Sequence, residues 1–154
     1  MSLYHIAQQI EASPPGQLVR ESTWLFPAIE ATHLVAIAML GGAVFILALA
    51  VLGVGLKTPP AQVELSARPY LNISVIALLL TGVFLGVSEP VKLLDRESFW
   101  VKMTALAAAI PFTYLVFIPL VRRTGATLLS RASAVVVIGL WLTVAIAGRW
   151  IGFS

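Results

Sequence analysis

This chain of 154 residues has no cysteine, and only 11% of its residues are charged. The missing thiol excludes a disulfide framework, a thiolate metal centre, an iron–sulfur cluster and a covalently attached c-type haem. The scarcity of charge excludes most soluble proteins, which average about 25% charged and about 45–50% apolar residues. Histidine is rare as well: there are two, His5 near the N-terminus and His33 at the start of the first long apolar run. Catalytic signatures are missing. The chain carries no Gly-rich phosphate loop, no HExxH and no GxSxG elbow. It also lacks a defensible internal repeat.

What is present is apolar sequence. Hydrophobic residues make up 59% of the chain, with a mean hydropathy of +0.96. That excludes disorder, which requires low hydrophobicity, and points to an integral membrane protein. A membrane-crossing helix needs ~20 mostly apolar residues. Between His33 and Lys57 stand 23 uncharged residues, and between Lys102 and Arg122 stand 19. Two further runs extend from Tyr70 to Val87 and from Ala132 to Gly148. None alternates as an outer-membrane barrel strand does. The reading is all-α: an up-down-up-down bundle of four transmembrane helices, spanning about 29–56, 70–89, 99–121 and 132–151, in a domain covering 29–154. Residues 1–28 form a separate interfacial segment. They begin MSLYHIAQQIEASPPG, polar and mixed in charge, so a cleavable signal peptide is not expected. Leu3, Ile6 and Ile10 have helical spacing, which predicts a short interfacial helix ended by Ser13-Pro14-Pro15-Gly16. Pro59 and Pro60 are expected to stop the first span, and Pro111 to kink the third.

Ten Lys/Arg against seven Asp/Glu give a formal charge of +3. The basic residues are scattered around apolar segments, so they face lipid headgroups rather than nucleic acid. Lys57, Arg68, Arg122, Arg123 and Arg131 fall on one side of the bundle, with Glu64 as that side's acid. The basic-loop bias places both termini on the outer side of a bacterial inner membrane.

The membrane-embedded polar residues collect at the opposite, outer end. Glu30 and His33 lie in the first turns of the first span, Glu89 ends the second, Lys102 and Met103 open the third, and Arg149 closes the fourth. Ionisable groups inside a bilayer usually face the bundle interior and pair. Glu30 or Glu89 with Lys102 or Arg149 are the expected pairs, around an outward-opening pocket roofed by Trp24, Trp100 and Trp150. A plainer reading stands beside this one. Lys102 and Arg149 can snorkel to headgroups from helix ends, and the tryptophans suit an interfacial belt. His33 with Met103 is a candidate His/Met ligand pair for haem b or copper, and a hydrogen-bonded His33–Glu30 pair without cofactor is the favoured alternative. Trp141 and Tyr114, near mid-span, need hydrogen-bond partners. A quinone ring stacking there is one alternative to plain core packing, and Asn72, Ser74 and Thr81 could supply polar contacts. Small-residue pairs, Ala38/Gly42, Gly82/Gly86 and Ala105/Ala109, favour close helix contact or oligomers.

Trp24-Leu25-Phe26-Pro27-x-Ile29-Glu30-x-x-His33, followed by Gly41-Gly42, resembles the opening of an uncharacterised family of small bacterial four-helix membrane proteins. Val91-Lys92, Phe99-x-x-Lys102-Met103 and Ala147-Gly148-Arg149-Trp150-Ile151 continue the likeness in order. The resemblance implies a four-helix inner-membrane protein and brings no activity with it. Similar proteins often carry a histidine late in the third helix. Here Phe112–Pro119 has none, which weakens a two-histidine haem. The expectation is a non-catalytic membrane subunit binding a small ligand or redox cofactor through Glu30, His33, Lys102, Arg149, Glu89 and Trp24. It would be homo-oligomeric or part of a larger membrane complex. The alternatives are a structural or assembly subunit, and a homo-oligomeric channel or small transporter.

Overall fold

The computed structural model describes residues 3–151. The first two residues of the predicted N-terminal segment and the last three of the membrane domain lie outside the described residues. All regular structure among the described residues is helical. Four helical segments are long and apolar enough to cross a membrane: Leu25–Leu52, Pro60–Ser88, Glu97–Thr124 and Leu128–Ile151.

Two short helices precede them, α1 (Leu3–Glu11) and α2 (Pro14–Glu21). The first ends where its Ser-Pro-Pro-Gly signal predicts. The same prolines then open α2, because proline suits the first helical turn, where its missing N–H costs nothing. Both helices dock on the bundle rather than lying apart from it: α2 packs on the second span and α1 on the connection that follows it. Gly16 permits this. A Cβ there would stand 2.8 Å from the Ile10 carbonyl and 3.1 Å from that of Val87. The Arg20–Glu11 pair at 2.9 Å links α1 to α2.

The first span is α3 (Leu25–Leu52), and it stops before Lys57-Thr58-Pro59-Pro60. Gly53 adopts φ 75°, and two bonds close the end: Gly53 N–H to the Ala50 carbonyl at 3.2 Å and Val54 N–H to that of Leu49 at 3.0 Å. This is a left-handed glycine cap, available to glycine because it has no Cβ to clash. The second span, α4 (Pro60–Ser88), starts ten residues before the predicted Tyr70 and carries Pro69 inside the helix. One lost N–H does not break a helix whose other bonds lie in lipid, where no water competes. The expected loop from Ser88 to Ser98 contains one helical turn, α5 (Pro90–Leu94).

The third span is composite: α6 (Glu97–Pro111), a π-helical turn (Phe112–Phe117) and α7 (Ile118–Thr124). Pro111 is followed by a wider turn that re-registers the carbonyls its ring leaves without a donor. The fourth span is α8 (Leu128–Ile151). The core runs along α3 and includes Leu40, Val44, Leu47 and Val51, against Leu71 and Leu78 of α4 and Val137 and Val144 of α8. Lipid offers no hydrophobic drive for helices to associate, so close van der Waals fit carries the packing. Ala105 and Ala109 are buried as that fit requires, whereas Ala38 and Gly42 face outward.

Contacts between distant residues define the two ends. The start of α3, the end of α4, the start of α6 and the end of α8 meet around His33. The start of α4 and the end of α7 meet at Glu64.

Candidate functional site

At the His33 end, three helices contribute to one chain of hydrogen bonds. His33 is buried on α3, one face inward from Glu30. Its Nδ1 lies 2.7 Å from Thr81 Oγ1 on α4, and its Nε2 lies 3.3 Å from Lys102 Nζ on α6. The donor directions follow from the ends of the chain. Thr81 donates its hydroxyl to the Ala77 carbonyl at 2.6 Å, so its oxygen accepts from His33. The Lys102 ammonium can only donate, so Nε2 accepts. This assigns a neutral imidazole with the proton on Nδ1. Both ring nitrogens are used, and each bond crosses a helix boundary.

Glycines make room for the chain. The His33 ring passes over Gly82, with Cε1 at 3.5 Å from a Cβ position there. The aliphatic stem of Lys102 lies across Gly148 of α8, with Nζ 3.3 Å and Cε 3.4 Å from a Cβ position. The second small pair of the sequence, Gly82/Gly86, thus contributes one member to seating a side chain rather than to bringing two backbones together.

The expected carboxylate pairs do not form here. Glu30 is exposed on the flank of α3, because three residues along a helix turn a side chain about 60° from its starting direction. Glu89 pairs with Lys92 at 3.1 Å, on the surface. Lys102 has no carboxylate within ion-pair distance among the described residues. Arg149 is exposed and engaged at the end of α8. Met103, one residue beyond Lys102, is turned about 100° away and is 43% exposed, so it does not share the interior with His33. No group of three or more His, Asp or Glu residues able to hold a metal occurs among the described residues.

The tryptophans line the rim and do not roof a pocket. Trp24 is 85% exposed, and Trp100 and Trp150 are also exposed. Trp100 donates its indole N–H to the Leu94 carbonyl at 3.2 Å and stands edge-on to Phe99. The two mid-span aromatics find the partners their polar handles require. Trp141 donates to Thr113 Oγ1 at 3.0 Å across α8 and the π turn, and Tyr114 donates to Asn72 Oδ1 at 2.8 Å across to α4. Ser74 is buried with its hydroxyl unpartnered among the described residues.

At the other end stands a cluster the sequence reading did not single out. Glu64 is 1% exposed. Its Oε1 accepts from Arg68 Nε at 2.9 Å and Nη2 at 2.6 Å, and its Oε2 accepts from Arg122 Nε at 3.0 Å. The signal was present: Glu64 and Arg68 are spaced i, i+4, the favourable order for a helical ion pair. The apolar run opens only at Tyr70, and a span beginning there leaves both residues outside the helix.

A family model for a family of unknown function, DUF6644, matches residues 24–154. No curated protein and no solved structure matches the chain. The match begins at Trp24 and takes in all four spans, His33, Thr81 and Lys102, while α1 and α2 precede it. A membrane-type helical bundle with the Trp24–His33 opening motif, matched over most of its length, places this chain in the DUF6644 family.

Proposed function

We propose that this protein is a non-catalytic membrane subunit that binds a lipid-soluble ligand with a hydrogen-bond-accepting head, of which a quinone is the best-fitting class, at Lys102. One observation carries the reading. Lys102 holds an ammonium between helices with neutral His33 as its partner and no carboxylate beside it among the described residues. A cation at membrane depth costs a few kcal/mol on insertion scales and is usually paired. His33 satisfies one of three donors, and a carbonyl oxygen from a bound molecule would satisfy another. Thr81 supports this by holding the imidazole so that Nε2 turns to Lys102. Glu30, Glu89, Arg149 and Trp24 then belong to the rim through which such a ligand enters.

A metal is the less favoured occupant. It would have to displace the Lys102 ammonium from Nε2 or Thr81 from Nδ1, and Met103 is turned away. We further propose that the four helices cross a bacterial inner membrane in alternating directions with both termini outside. The meeting of helix starts with helix ends supports the alternation, and the basic residues of the Glu64 end support the direction. Residues 1–28 then form an interfacial segment covering the outer end of the 29–154 membrane domain. Assembly as a homo-oligomer or within a larger membrane complex goes with the exposed Ala38/Gly42 face.

The test uses protein purified in mild detergent, a visible spectrum with metal analysis, and thermal unfolding with and without decylubiquinone. The expected result is a protein without a Soret band or stoichiometric metal, stabilised by the quinone in a concentration-dependent way, with the shift lost in Lys102→Met. A haem spectrum, bound copper, or an equal quinone shift in Lys102→Met would overturn the proposal.

A further inference from the structure

The Glu64 cluster is built in a way that a stabilising ion pair alone does not require. One carboxylate takes two guanidinium groups from two helices, so the cluster carries a net charge of +1. Arg68 spends Nε and Nη2 on Glu64, and Arg122 spends Nε. Arg68 Nη1 and both terminal nitrogens of Arg122 have no partner among the described residues. The two arginine side chains are partly open, Arg68 at 32% and Arg122 at 45% exposed, while Glu64 beneath them is sealed. The buried carboxylate therefore works as a fixed floor. It holds two planar donor groups from α4 and α7 side by side, facing out of the bundle at its end. Arg123 adjoins them, Lys57 and Arg131 share the same end, and no second acid balances them there.

Paired guanidinium groups with free N–H donors match the oxygens of a phosphate. Basic pockets between transmembrane helices on the cytoplasmic side bind anionic headgroups in this manner. We infer that Glu64, Arg68 and Arg122 form a binding site for the phosphate of an anionic phospholipid in the leaflet that this end of the bundle faces. Glu64 is the positioning residue, and the two arginines make the contacts. Diffuse attraction of a basic surface to an anionic leaflet would treat all of these arginines alike. A built site distinguishes Arg122, which Glu64 holds, from Arg123, which it does not. This site stands at the end of the bundle remote from His33, independent of the ligand proposed there.

The experiment is native mass spectrometry of delipidated protein titrated with phosphatidylglycerol, with phosphatidylcholine or with inorganic phosphate. The expected result is retention of phosphatidylglycerol in preference to phosphatidylcholine, and no retention of inorganic phosphate. Arg122→Gln should weaken phosphatidylglycerol retention roughly ten-fold or more, the loss of charge-assisted hydrogen bonds. Arg123→Gln removes the same charge one residue away and should weaken it by no more than about five-fold, the effect of one surface charge near anionic lipid. Arg68→Gln should behave as Arg122→Gln does, which keeps the test usable if either variant alone fails to fold. Equal losses in Arg122→Gln and Arg123→Gln, equal retention of the two lipids, or binding of phosphate alone would overturn the inference.

Discussion

The two ends of this bundle handle buried charge in opposite ways. At one end a carboxylate is sealed beneath two guanidinium groups that reach it from two helices. At the other a lysine sits between helices with an imidazole for company and no counter-charge among the described residues. The first arrangement supplies its buried acid with counter-charges from within the fold: remove the acid and two cations are left facing each other. The second is open: remove the lysine and His33 and Thr81 still bond to one another. A charge that structure requires is expected to be neutralised by structure. One that is not points to a partner from outside, and at the His33 end that charge is Lys102.

The comparison is most easily broken at Glu64. Glu64→Leu strips both arginines of their carboxylate. Loss of one partner of a buried pair costs about 3–5 kcal/mol. The arginines here are partly solvated, so about 2–3 kcal/mol is expected after allowing for screening, read as a lower unfolding midpoint in detergent. A midpoint equal to that of the parent protein would remove the structural half of the contrast. Lys102→Met should act in the opposite sense, leaving stability unchanged or raising it, because it removes a cation without a counter-charge and keeps the length of the stem. A loss as large as that of Glu64→Leu would show the two ends to be alike.

Gly16→Ala probes the cover over the His33 end. A methyl at 2.8 Å from a backbone carbonyl cannot be accommodated without movement, and overpacking of this kind costs about 1–3 kcal/mol. The effect should stay within α1 and α2, as faster amide exchange over residues 3–21 with the four spans unchanged. Uniform acceleration would mean that the cover and the bundle unfold together. The smallest effect is expected at Trp141→Phe, which deletes the indole bond to Thr113. Interhelical hydrogen bonds in membranes average about 0.6 kcal/mol, so a shift near the limit of detection in thermal unfolding is expected. A large shift would place the mid-span polar bonds, rather than the ends, at the centre of the fold's stability.

Much of this was readable from residue order. Long uncharged runs give membrane helices because backbone polar groups must be satisfied internally in lipid, and the spans follow. The meeting of His33 with Lys102 was also legible, since both lie in the first turns of their spans. The other partners at that end were not. Glu30 and His33 share a face at the resolution of a helical repeat, yet 60° of rotation separates a buried imidazole from an exposed carboxylate. Thr81 looked like one of several mid-helix hydroxyls, and only the approach of α3 to α4 singles it out. Glu64 lies outside the apolar run that opens at Tyr70, and only the continuation of α4 through Pro69 brings it into the helix. Gly53 was passed over for the more conspicuous Pro59-Pro60, although a glycine in the left-handed region ends a helix just as firmly.

The open lysine can be tested directly by thermal unfolding of the parent protein and Lys102→Met side by side, each with and without decylubiquinone. Lys102→Met should be at least as stable as the parent protein in the absence of quinone, and quinone should stabilise the parent protein alone. A Lys102→Met protein that is less stable than its parent, yet still stabilised by quinone to the same degree, would contradict both expectations.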